Sequence, residues 1–64
     1  MSIHEYCVRD MLRVNQENTA HAVQMVKEYA AAGDRWAACW WAEALERLKA
    51  EKKRLENMMG GGEA

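Results

Sequence analysis

The two histidines and two cysteines of this sequence, His4, Cys7, His21 and Cys39, are the imidazoles and thiols that could hold a soft metal or start a nucleophilic reaction. His4 and Cys7 are one helical turn apart, as two ligands of a zinc site are, and His21 with Cys39 would complete a four-ligand set. The same pair is also the nearest approach to a thiol nucleophile beside an imidazole base. Which of these chemistries is open depends on the elements that carry the residues. On an antiparallel helical hairpin, at about 1.5 Å of rise per residue, Cys7 falls near the open end and Cys39 near the turn, roughly 25 to 30 Å apart. Neither a shared metal nor an intrachain disulfide spans that gap. His4 and Cys7 sit at a fraying helix start where no rigid cleft is expected. There is also no serine beyond Ser2 and no glycine-rich loop after a strand. The expectation is a non-enzymatic chain with no catalytic residue, no metal and no cofactor. Both thiols should be free, able to meet only across a dimer.

The elements themselves are written plainly. The chain has no proline and is dominated by Ala, Leu, Met, Glu, Lys, Arg and Gln, so local propensity favours helix almost throughout. The interruption is at Ala32, Gly33 and Asp34, a glycine able to take the left-handed cap followed by an aspartate able to start a new helix. This predicts a first helix over about 3–31, a turn over 32–34 and a second helix over about 35–58, forming one domain over 1–59. Ser2 and Glu5 have capping-box spacing, and 60–64 (Gly-Gly-Gly-Glu-Ala) is expected to be a flexible tail. So short a connection makes the helices antiparallel neighbours.

Alternating steps of four and three mark a seam on each helix. Val8, Leu12, Asn15, Thr19, Ala22, Val26 and Tyr29 form one, and Trp41, Leu45, Leu48, Lys52, Leu55 and Met59 the other. Cys7, Met11, Val14, Val23 and Met25 widen the first stripe, and Ala37, Trp40, Ala44 and Met58 the second. These arcs are wider than one neighbouring helix can cover, so a lone hairpin should leave an apolar strip in water. A chain of 64 residues is also short, since a domain of this size buries only about 60% of the surface its unfolded form exposes. The fold class expected is therefore all-α, an antiparallel hairpin dimerising into a four-helix bundle. Val8, Met11, Leu12, Val26, Tyr29, Trp41, Leu45, Leu48 and Leu55 form the expected dimer core, with Leu45, Leu48 and Leu55 in central layers beside Val8, Leu12 and Val26.

Composition removes several partner classes. The richest apolar run, Trp36 to Ala42, is far short of the roughly 18 residues of a membrane span. No signal-peptide order is present, which together with two cysteines predicts a cytoplasmic, reducing location. The formal net charge is −1, and Arg47, Lys49, Lys52, Lys53 and Arg54 are interleaved with Glu43, Glu46, Glu51 and Glu56. Glu43 with Arg47, Lys52 with Glu56 and Glu51 with Arg54 have the spacing of a laced, solvated helix face, so nucleic acid is not the expected partner.

Two features are left over. Asn15 and Asn18, with Thr19, occupy or border the apolar stripe, either as a polar layer fixing register or as a contact for a partner. Trp36, Trp40 and Trp41 fall within six residues. Trp41 is on the seam, whereas Trp36 and Trp40, with Arg47, flank it as either dimer contacts or a binding anchor. The candidate partner-binding residues are thus Trp36, Trp40, Arg47, Asn15 and Asn18. The function expected is that of a small adaptor or inhibitor of phage or plasmid type, partnered with itself and with a larger bacterial protein. The alternatives are a ROP-like dimeric nucleic-acid binder and a structural assembly subunit, analogies of size and architecture alone.

Overall fold

The computed structural model describes the backbone of residues 3–60 and the side chains of residues 6–59. The Ser2–Glu5 capping box and the segment 61–64 lie outside the described residues. Two helices, α1 (Ile3–Ala31) and α2 (Arg35–Gly60), pack side by side as a hairpin. α2 carries on through Met59 and Gly60, past the expected end at Met58, in step with the apolar period that reaches Met59. The molecule measures 46 × 20 × 12 Å. Its length is that of one long helix, and its thickness is about one helix diameter with side chains. It is a single layer, so each helix has a neighbour on one side only.

The turn is built by two residues. Gly33 takes φ +80° and donates its N–H to Ala30 O at 3.1 Å, while Asp34 N–H reaches Tyr29 O at 3.0 Å. This pair of bonds is a Schellman cap, which satisfies carbonyls that the end of α1 would otherwise leave bare. The same Asp34 opens α2: its Oδ1 accepts from Ala37 N–H at 3.0 Å, and its carbonyl accepts from Ala38 N–H at 3.0 Å. The residue that closes α1 and the residue that caps α2 are consecutive, Gly33 and Asp34, so the connection between the helices is only three residues long. An N-terminal cap of this kind contributes about 1 kcal/mol.

The core is thin. Val8, Ala22 and Leu55 are the buried apolar side chains among the described residues, and Asn15 is buried with them. Val8, Asn15 and Ala22 are seven residues apart and form the centre line of the α1 seam. Leu12, Thr19, Val26 and Tyr29 on α1 and Trp41, Leu45, Leu48 and Met59 on α2 are half-buried. The central layers expected at Leu45, Leu48, Leu12 and Val26 are therefore only partly closed within one hairpin, because a single layer covers each of them from one direction. Met11, expected in the dimer core, is 51% exposed in the single hairpin, and Lys52, on the α2 seam, is exposed. No helix among the described residues is long and apolar enough to cross a membrane.

Candidate functional site

Asn15 is the one polar side chain buried between the helices among the described residues, at 1% exposure. Its Nδ2 donates to Leu48 O at 2.9 Å and to the Glu51 carboxylate Oε1 at 3.0 Å. Its Oδ1 is buried without a hydrogen-bond partner. The reversed amide would set its carbonyl oxygen against two acceptors, so the donor assignment is the one the surroundings demand. The arrangement fixes register, since sliding α1 along α2 by one residue would strand both donors in an apolar seam. Asn15 is thus turned inward and is not a contact surface for a partner. This corrects its placement among the binding residues, while Asn18, one turn further along α1, is exposed.

The two broad sides of the hairpin differ. One carries a cleft of about 640 Å³ lined by Leu12, Thr19 and Met59 with Arg9, Lys52 and Glu56 at its edges. The other has a smaller cleft of about 400 Å³, lined by Asn18, His21, Trp41, Ala44, Arg47 and Glu51 among others. Heptad spacing extends this second side through Met11, Val14 and Met25 on α1 and through Ala37, Trp40 and Met58 on α2. Met11, Val14, Trp40 and Met58, four of the six large exposed apolar residues, belong to it. Near the turn it is aromatic. Trp41 forms T-shaped pairs with His21, at 5.4 Å between ring centroids, and with Trp40, at 5.1 Å. Both separations lie in the favourable range for such pairs.

Trp36 lies apart from this cluster, in the first turn of α2, and is 77% exposed. The structure therefore separates the two flanking tryptophans: Trp40 leans on Trp41 and is 47% exposed, whereas Trp36 projects into solvent. Arg47 lines the second cleft, two turns from Trp40 along α2.

The charges are arranged differently from the expected lacing. Among the described residues the ion pairs are Asp10–Arg13 at 2.6 Å and Glu46–Lys49 at 3.9 Å, both between exposed side chains three residues apart. Glu43–Arg47, Lys52–Glu56 and Glu51–Arg54 do not close, and Glu51 is engaged by Asn15 instead. The hydrogen bond that Arg13 donates to Asp10, then the Asp10 charge, with Glu17 adding, raise the already high pKa of Arg13. Cys7 and Cys39 are both exposed and unbridged. The side chain of His4 lies outside the described residues. Among those described, no group of three His, Cys, Asp or Glu side chains is placed to hold a metal ion. Both broad clefts are open grooves between helices, and neither brings a nucleophile against a base.

Comparison of the chain with protein-family models, with curated proteins and with solved structures gave no match.

Proposed function

We propose that this chain is a non-enzymatic interaction protein that works as a pair of hairpins. Two copies complete a four-helix bundle, and the bundle acts as an adaptor or inhibitor by occupying a surface of a larger protein. The observation that carries this reading is unfinished burial. The chain exposes 5132 Å². A compact monomer of its 7.4 kDa mass exposes about 4,200 Å² by the usual scaling of surface with size. Part of that surplus is the shape of a layer one helix thick, and part is large apolar side chains left in water, since Met11, Val14, Trp40 and Met58 are each more than 40% exposed.

The contact with the target is centred on Trp36. A tryptophan left in water near a rigid turn offers a large apolar surface at small cost in side-chain entropy, and tryptophan is enriched among residues that dominate binding energy. Trp36→Ala should leave the melting temperature and the oligomeric mass unchanged while weakening target capture by about 2 kcal/mol or more, the threshold for a hot spot. Paired affinity captures of the wild-type and variant proteins from nuclease-treated host lysate test this. Equal recovery of the same target by both proteins would remove Trp36 from the contact. A catch that disappears with nuclease and falls steeply with salt would favour nucleic acid over protein as the partner.

A further inference from the structure

Two hairpins can meet through either broad side, and in either of two orientations. We infer that the self-association face is the one bearing Met11, Val14, Ala44 and Met58, and that the second copy lies on it antiparallel, with its turn end over the first copy's open end. This rests on the dimer proposed above and specifies how it is built.

The choice of face follows from where burial is incomplete. Four of the six large exposed apolar side chains lie on this side, whereas Leu12, Thr19 and Met59 on the other are already half-covered. Small residues at Ala37 and Ala44 allow helices to approach closely.

The orientation follows from the order of residues along that face. Asn15 is level with Leu48 and Glu51, and His21 is level with Trp41, so the relative height of the two helices is fixed. The open end of the face is then aliphatic and thioether in character, from Met11, Val14 and Met58. Its middle is polar, from Asn18, Arg47 and Glu51, and its turn end is aromatic, from His21, Trp40 and Trp41. A two-fold axis across the helices, passing α2 midway between Arg47 and Glu51, places Arg47 beside Glu51 of the partner subunit, twice by symmetry. The same axis places Trp40 beside Met58 of the partner subunit, a sulfur–aromatic pairing. At that height on α1 it places Met11 beside the partner subunit's His21 and Cys7 beside the partner's Met25. An axis along the helices would instead set the Glu51 carboxylate against Val14 of the partner subunit and leave Arg47 facing the partner's Asn18, with no charge matched. Charge and residue character select the crossing axis.

Cys7 supplies the test. In the full chain carrying Cys39→Ser and Met25→Cys, Cys7 and the introduced thiol are about 27 Å apart within one chain, beyond the reach of a short bis-maleimide. Across the inferred interface they are neighbours. Treatment at micromolar protein should convert most of the chain to a covalent dimer, and the Cys39→Ser protein with Cys7 alone should stay uncrosslinked. A dimeric mass by light scattering without crosslinking of Met25→Cys would overturn this face and orientation while leaving the dimer standing. Crosslinking through Cys7 alone would likewise overturn it, because it requires the open ends to lie together. A monomeric mass would overturn the dimer itself. Met25 is half-buried and cysteine is smaller and apolar, and a helical circular dichroism signal equal to that of the Cys39→Ser protein confirms that the variant is folded.

Discussion

Asn15→Asp is expected to destabilise the hairpin by about 3 to 5 kcal/mol at neutral pH, the usual consequence of leaving a buried charge without a partner. The substitution changes almost no volume. It replaces an amide that donates to Leu48 O and to the Glu51 carboxylate, at 2.9 and 3.0 Å, with a carboxylate facing two acceptors. Burial and the Glu51 charge both disfavour ionisation, so the folded-state pKa of the new aspartate rises above its unfolded value of about 3.9. With a raised folded pKa, the stability of the variant is fully retained below the unfolded pKa and lost as pH climbs through the folded one. The gap in melting temperature between wild type and variant should therefore be wide at pH 7 and narrow below about pH 4, where a protonated carboxyl can again donate. Equal melting temperatures at pH 7 would show that Asn15 is not enclosed between the helices.

Leu55→Ala carries the second large effect, an expected loss of about 2 to 5 kcal/mol, the range for truncating a buried leucine. Leu55 is 4% exposed and is one of only three buried apolar side chains among the described residues. With so few others to share the load, the rest of the layer cannot compensate. Domain stabilities are typically only about 5 to 15 kcal/mol, so a loss at the upper end of the range equals the whole stability of a domain at the low end. Denaturant titration followed by helical circular dichroism measures the effect. A change below about 0.5 kcal/mol would mean that the α2 seam does not pass through Leu55.

Much of the fold was legible in the sequence because it is set by local rules. The glycine and aspartate at 33 and 34 each have a conformational reason to be there, and the structure uses both, Gly33 at φ +80° and Asp34 as a cap. The four-three spacing located Val8, Asn15, Ala22 and Leu55 on the seams because periodicity reports direction around a helix. Periodicity does not report depth. Leu45, Leu48 and Val26 point inward like Leu55, yet they are only half-covered in a molecule one helix thick.

The ion pairs show a second limit. Spacing along a helix permits several partners, and the rotamers that close Asp10–Arg13 and Glu46–Lys49 were not encoded in the pattern that suggested Glu43–Arg47. The role of Asn15 depended on the height of one helix against the other, which neither helix specifies alone. Its interruption of an apolar stripe was the visible signal, and only the Leu48 carbonyl and Glu51 carboxylate show which way it faces. Likewise, three neighbouring tryptophans were conspicuous as a group. The structure divides them into a half-buried Trp41, a Trp40 leaning on it and a solvent-facing Trp36.

The central claim is that one hairpin is an incomplete core and two make a whole one. Light scattering coupled to size exclusion, run over a dilution series with melting temperatures taken at each concentration, tests it most directly. The expected result is twice the 7.4 kDa chain mass at micromolar concentration, with a melting temperature that falls on dilution because unfolding is coupled to dissociation. A mass of 7.4 kDa, with a melting temperature indifferent to concentration, would contradict it.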